Sequence, residues 1–155
     1  CLVRGLGDVY KRQDIYHAYE QFLSVKKYFG KTSGNPAFHF IVVYDARSTW
    51  GDNYERAESM SRSIASYFSD KYQIVYAIHR KFCSKRYGSC SSVYHAHFVM
   101  NSVSYIDGTM FSGNRSELYA FLDYIKQVTG DKSWVTQYGS EKGKGYQGVS
   151  DAVAM

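Results

Sequence analysis

Apolar positions recur at helical spacing in three segments of the chain, and each segment carries a helix start or stop signal. A first helix is predicted from Asp14, with Gly30 beyond its end, and a second from about Asn53 to Phe68. Asn114, with a glutamate three positions later, predicts a capped start for a third helix, which Gly130 ends. The apolar stripe predicted for the first helix comprises Ile15, Tyr19, Phe22, Val25 and Phe29.

Three β-patterned runs lie between these helices. Phe38–Tyr44 is apolar on both faces, which is expected if helices cover one face and side chains pack on the other. The runs Val75–Lys81 and Val93–Val103 predict an antiparallel hairpin centred near Tyr87-Gly88. The predicted order is helix, strand, helix, strand, strand, helix. This order indicates the α+β class, an antiparallel sheet with flanking helices.

Composition sets the limits within which function can be sought. The chain has 155 residues, 45% of them hydrophobic, and is long enough for one domain with a real core. Its net charge of +5 and pI near 9.0 suit a polyanionic partner without requiring one. Lys26, Lys27 and Lys31 form a basic cluster that could contact phosphate, although each could also lie on a solvated face. No apolar run is long enough to predict a membrane span.

Three of the five histidines fall in the predicted hairpin. His95 and His97 are two residues apart, so a strand would project both to one side. In the expected register His79 lies across from His95 on that same face. Three imidazoles with open positions around them are typical of a catalytic metal site. The alternative is that these are ordinary strand histidines satisfied by hydrogen bonds.

Two segments resemble a known family. The string from Tyr94 to Gly108, which contains the histidine pair, resembles the histidine motif of plasmid relaxases, which belong to the His-hydrophobe-His endonuclease superfamily. The segment Tyr19–Gly34 followed by Phe38–Tyr44 is similar to the one that precedes their first core strand. The chain departs from the pattern at Arg80-Lys81, where an acidic residue is expected. It departs again at Phe82–Ser92, which reads as a lengthened hairpin tip.

The resemblance implies a relaxase-like βαββα core and an enzyme that nicks and rejoins single-stranded DNA at a plasmid transfer origin. It implies that a tyrosine hydroxyl attacks a phosphodiester, with Mg²⁺ or Mn²⁺ held by His79, His95 and His97. Single-stranded DNA is the implied partner, together with accessory mobilization proteins, and the bacterial cytoplasm is the implied location. No membrane partner is expected.

The two ends of the chain affect where an attacking tyrosine is expected. Residues 1–13 resemble translated sequencing-adapter sequence, so we expect a non-native tail there, a catalytic core over 14–130 and a loop or linker over 131–155. In relaxases of this type the attacking tyrosine lies close to the natural N-terminus, ahead of the segment beginning at Tyr19. The expectation is therefore a fragment without its nucleophile, in which Tyr10 is not catalytic and Tyr16 is a fallback.

Two rival interpretations remain open from the sequence. Rolling-circle replication initiators and single-tyrosine transposases carry their nucleophile on a helix after the histidine pair, and Tyr124 resembles that position. The other rival is a non-catalytic nucleic-acid-binding domain. Cys83 and Cys90 flank the hairpin insertion and are expected to be free thiols. His39 is interpreted either as lining the same sheet face or as a strand histidine satisfied by hydrogen bonding.

Overall fold

The computed structural model describes residues 14–44, 54–82, 92–130 and 133–138. Four strands in these ranges form one sheet in the order β2-β3-β1-β4, and every neighbouring pair is antiparallel. The predicted α+β class with an antiparallel sheet and flanking helices is confirmed. The elements in chain order are α1 Asp14–Tyr28, β1 Ala37–Tyr44, α2 Tyr54–Ser69, β2 Ile74–Phe82, β3 Ser92–Asn101, α3 Arg115–Thr129 and β4 Ser133–Tyr138.

Both ends of α3 follow their sequence signals. The side chain of Asn114 accepts a hydrogen bond from the backbone N–H of Glu117, as an N-cap does. Gly130 adopts a left-handed conformation with φ of 63°, and its N–H donates to the carbonyl of Lys126. The carboxylate of Glu117 accepts a hydrogen bond from the Ser112 hydroxyl, and the Asn114 backbone N–H, which a capping box would direct to Glu117, donates to Ser112 Oγ. These local bonds fix where the helix begins and ends.

The main core lies between the sheet and the helices α2 and α3. Alternate residues of the central strands, such as Phe40 and Phe98, point into it and stack with ring centroids 4.8 Å apart. Phe121 of α3 meets Phe40 at 5.0 Å, and Phe68 of α2 meets Phe121 at 4.6 Å. Because side chains alternate along a strand, the intervening residues project to the opposite face. That opposite face carries the histidines.

The helix α1 packs differently from the prediction. Tyr19, expected in the core, is 64% exposed, whereas Phe22 is buried. The helix is held against the end of β3 and the segment that follows it, and the side-chain amide of Asn101, the last residue of β3, donates to the carbonyl of Phe22. Phe29 lies against Gly108 in the same segment. A helix that meets a loop buries a narrower stripe than one lying across a sheet, which explains the exposure of Tyr19.

The strand β4 was not predicted, because 131–155 was interpreted as loop or linker. Ser133–Tyr138 pairs with β1 from Tyr44↔Ser133 to His39↔Tyr138 and gives β1 a second neighbour. A six-residue run of mixed polarity is ambiguous by itself and becomes a strand through pairing with an available edge.

Several sequence-based expectations fall outside the described residues. They concern the 1–13 tail, the hairpin tip near Tyr87-Gly88, Cys83 and Cys90, and the segment after residue 138. Each helix that the structure describes is too short or too polar to cross a bilayer.

Candidate metal centre

The register of the β2–β3 hairpin brings the three histidines together. His79 is directly opposite His95, and Ala77 is opposite His97. This is the predicted register, which is now confirmed. On β1 the residue opposite His97 is Ile41, so the pair on β3 lies near the middle of the sheet and His79 lies on the edge strand.

The three side chains converge on one point. One ligand atom from each of His79, His95 and His97 can be chosen so that all lie within 4.8 Å of one another. The ring centroids are separated by 4.8 Å for His79–His97, 5.1 Å for His95–His97 and 5.5 Å for His79–His95. His79 is exposed and the other two are partly buried, so the cluster is open on one side. A ligand can therefore approach it from solvent.

The donor set fits a divalent metal ion. Neutral imidazole nitrogen is a common ligand for divalent transition ions, and three protein ligands with open positions are the usual catalytic arrangement. Ligand atoms on one ion are roughly 3–4 Å apart when the metal–nitrogen bonds are about 2.0–2.2 Å long. The observed spacing of up to 4.8 Å lies somewhat above that range.

The environment of His97 favours its neutral form. Burial lowers the pKa of His97, and the neighbouring His79, His95 and His39 lower it further because like charges would repel. A neutral ring keeps a nitrogen lone pair available for a metal ion.

A fourth histidine stands next to the cluster without belonging to it. His39 projects from β1 to the same face, and its Nε2 lies 3.1 Å from Nδ1 of His97. The two rings are nearly parallel, with 13° between their planes. The sequence placed His39 on a strand, and both of its interpretations hold, since it lines this face and is hydrogen-bonded. The identity of its partner, 58 residues away, had no local signal.

The three predicted DNA-contacting lysines separate into two groups. Lys26 is only 6% exposed, and its ammonium donates to the Ser102 hydroxyl at 2.9 Å and to the Asn35 carbonyl at 3.4 Å. Burial lowers the pKa of Lys26. The Lys26 ammonium, which was expected to contact phosphate, is thus already hydrogen-bonded inside the protein. Lys27 and Lys31 are exposed and remain available.

The two fallback tyrosines also differ. Tyr124 lies on α3, where its hydroxyl donates to the Ser63 carbonyl at 3.0 Å and its ring packs against Tyr67. Because α2 and α3 cover the face opposite the histidines, Tyr124 is separated from His97 by the sheet. This placement is unfavourable for attack on a phosphate held at the histidines, and the fallback role of Tyr124 stays a prediction. The side chain of Tyr16 lies outside the described part of the chain.

Comparison with known proteins identifies the family. The sequence model described as "Relaxase: MobA/VirD2-like, nuclease domain" matches residues 4–134, which include all three histidines and the whole sheet except the end of β4. Searches of curated proteins and of solved structures gave no match. Relaxases of this family act as nucleases in DNA mobilization and use a divalent metal. The matched range exceeds half of the sequence, so this chain belongs to the MobA/VirD2-like relaxase family through its nuclease domain.

Proposed function

We propose that this domain serves metal-dependent nicking and rejoining of single-stranded DNA at a transfer origin. The single observation that carries the proposal is the convergence of His79, His95 and His97 on an open sheet face within a relaxase-family domain. Plasmid or mobile-element DNA in the bacterial cytoplasm would be the substrate, with accessory mobilization proteins as further partners.

The residues on this face have separable tasks. His79, His95 and His97 would hold the metal ion, Mg²⁺ or Mn²⁺, as neutral ligands that leave its positive charge uncompensated. When bound, such an ion polarises a phosphodiester and stabilises the charge that develops on the phosphoryl oxygens. The donor set favours Mn²⁺, because Mg²⁺ prefers oxygen ligands and retains several waters. Val43 and Val99, which lie opposite His95 and His39 in the β1–β3 ladder, are partly buried.

A tyrosine hydroxyl is the proposed nucleophile, by family resemblance. Tyr124 is unsuited because it lies on the other side of the sheet, bonded to Ser63. We propose that the attacking tyrosine precedes Tyr19, as the family pattern implies, with Tyr16 the one candidate in the segment from Asp14 onward. The attack would form a phosphotyrosyl bond and release the 3′ oxygen of the neighbouring nucleotide, and the reverse reaction would restore the strand.

The metal-dependent step can be tested without knowing the origin sequence. The probe is a thymidine dinucleotide, whose ³¹P relaxation is measured with the full chain and Mn²⁺. Phosphate held next to a protein-bound Mn²⁺ should relax faster than with Mn²⁺ alone, and His97→Ala should remove this enhancement. His17→Ala, on the exposed surface of α1, is the matched control. Equal relaxation in the parent and in His97→Ala would contradict the proposal and favour a non-catalytic binding domain.

The nucleophile is tested separately. The chain is incubated with Mn²⁺ and a pool of randomised single-stranded oligonucleotides, and covalent adducts are separated on a denaturing gel and mapped by peptide mass spectrometry. Any adduct should map ahead of Tyr19 and disappear with a chelator. An adduct at Tyr124 would contradict the placement described above and support the replication-initiator interpretation.

A further inference from the structure

The contact between His39 and His97 extends the candidate metal centre by one residue. His39 is opposite Val99 on β3, and His97 is two residues from Val99, so the two histidines are diagonal neighbours on one face. Diagonal side chains in an antiparallel pair are about 7–8 Å apart at the backbone, within reach of two ring side chains. The register therefore makes this contact possible only for long or aromatic residues at position 39.

The ring geometry is that of an in-plane hydrogen bond. The centroids are 5.3 Å apart, while Nε2 of His39 and Nδ1 of His97 are separated by 3.1 Å. The centroid distance exceeds the nitrogen–nitrogen distance by about the sum of the two centroid-to-nitrogen distances within the rings. Both nitrogens therefore lie close to the line that joins the centroids. The planes differ by only 13°. A nitrogen lone pair lies in the ring plane, and this arrangement directs one ring's N–H at the other ring's lone pair.

The position of His39 in the fold makes this contact rigid. β1 is an interior strand, paired with β3 on one side and β4 on the other. The residues before and after His39, Phe38 and Phe40, pack on the opposite face, Phe40 in the core and Phe38 against it. A side chain anchored in this way can hold its partner's ring in one orientation.

The hydrogen bond selects which nitrogen of His97 can bind a metal. A metal-binding histidine commonly donates its other ring N–H to an acceptor, which fixes the tautomer and the ring orientation. With Nδ1 of His97 facing His39, Nε2 is the nitrogen left for an ion. His39 does not belong to the set of converging ligand atoms. We infer that His39 is a positioning residue, whose Nε2 accepts a hydrogen bond from Nδ1–H of His97 and thereby presents Nε2 of His97 to the metal.

This inference rests on the proposed metal role of the three histidines, and the test separates the two. The first measurement is Mn²⁺ titration of the full chain by calorimetry. His39→Phe keeps a ring of similar shape but removes the acceptor, so binding should weaken by about 10- to 100-fold, the range found when such partners are lost. His39→Gln places an amide oxygen near the position of the imidazole Nε2 and should recover most of the affinity. His17→Phe is the control on an exposed helical position.

The second measurement needs no metal. Long-range ¹H–¹⁵N correlation spectra of the metal-free chain report which ring nitrogen of His97 carries the proton. The inference predicts Nδ1–H in the parent and in His39→Gln, and loss of that preference in His39→Phe. Thermal unfolding of each variant verifies that it is folded at the temperature of the measurement.

The outcomes are distinct. Parental Mn²⁺ affinity in His39→Phe, or a His97 proton on Nε2 in the parent, would overturn the inference while leaving the metal site intact. If His39→Gln fails to recover affinity although His97 keeps Nδ1–H, His39 is not replaceable as an acceptor and the inference is also overturned. A parent chain that binds no Mn²⁺ would refute the metal role of both the triad and His39. In that case the spectra would still decide whether the two rings share a hydrogen bond.

Discussion

The three histidines of the candidate centre contribute unequally because their surroundings differ. His95 and His97 lie on β3 in the interior of the sheet and are partly buried, whereas His79 lies on the edge strand and is exposed. A ligand held by a rigid strand loses less conformational entropy on binding than an exposed one. We therefore expect the two β3 histidines to dominate metal affinity, with His79 completing the site.

Alanine substitutions test this order. Each of His79→Ala, His95→Ala and His97→Ala should weaken Mn²⁺ binding by at least about tenfold, and the two β3 variants should be affected most. Calorimetric titration gives the affinities, and His17→Ala should match the parent. Parental affinity in His79→Ala would show that the ion is held without the edge strand.

Tyr44 provides a residue-scale test of the core. It is 2% exposed and its hydroxyl donates to Ser61 Oγ at 2.6 Å, while Ser61 donates to the Ala57 carbonyl. Tyr44→Phe leaves Ser61 satisfied through Ala57, so we expect a loss of about 0.5–1.5 kcal/mol in the free energy of unfolding at neutral pH. Tyr119→Phe, at a position that is 54% exposed on α3, should change it by less than about 0.5 kcal/mol.

The same variant should alter the alkaline pH dependence of stability. Burial raises the pKa of Tyr44 above its usual value. The folded state therefore favours the protonated phenol. Its contribution is fully present below the unfolded pKa of about 10 and is lost as the pH rises further. Denaturant unfolding should show the difference between the parent and Tyr44→Phe narrowing above that pH; a constant difference would contradict the buried position.

At the scale of elements, α1 is held to the sheet through the segment after β3 and not through the main core. Gly108 is a point of close approach in this contact, because a Cβ added there would overlap the ring of Phe29. Its φ of 70° is also in the left-handed region that favours glycine. Gly130 has a similar φ of 63° but open space around it.

The two glycines separate backbone strain from steric overlap. Gly130→Ala should cost about 1 kcal/mol of unfolding free energy, from the left-handed backbone alone. Gly108→Ala should cost at least about 1 kcal/mol more, because Phe29 must also be displaced. Denaturant unfolding measures both. Equal costs would mean that α1 moves away from Gly108 without loss, and that its anchoring is weak.

At the scale of the whole molecule, the net charge of +5 bears on how strongly the protein attracts DNA. It bears less on the cleavage reaction at the histidines. Lys27 and Lys31 are exposed near the end of α1, while the neighbouring Lys26 is buried. Lysines that contact phosphate release counterions from single-stranded DNA, which makes affinity fall with salt at a log–log slope of roughly −0.7 per phosphate. The contrast between adjacent lysines can be measured directly.

We expect Lys27→Gln and Lys31→Gln each to flatten the salt dependence of oligonucleotide binding by up to about 0.7 in slope. Lys26→Met should leave the slope unchanged, since the Lys26 ammonium is buried and donates to Ser102 and Asn35. Fluorescence anisotropy at several salt concentrations, below the unfolding temperature of each variant, gives the slopes. A flattening for Lys26→Met alone would show that DNA binding rearranges α1.

The sequence by itself determined the features that depend on neighbours along the chain. The period of two around His95 and His97 and the caps at Asn114 and Gly130 are local, because hydrogen-bond geometry and side-chain alternation fix them over a few residues. The order of elements from α1 to α3 followed for the same reason. The placement of His79 opposite His95 followed from the hairpin expected between two strands that are consecutive along the chain. The motif around the histidine pair was sufficient for the family resemblance.

Only the tertiary structure decided the features that depend on pairing between distant segments. The bond between His39 and His97, the burial of Lys26, the exposure of Tyr19 and the separation of Tyr124 from the histidines all depend on which face of which element meets another. Side-chain alternation along a strand shows which residues share a face but not which strand lies beside it. Periodicity carries no information on that choice, because strand order is set by burial and hydrogen bonding summed over the whole sheet.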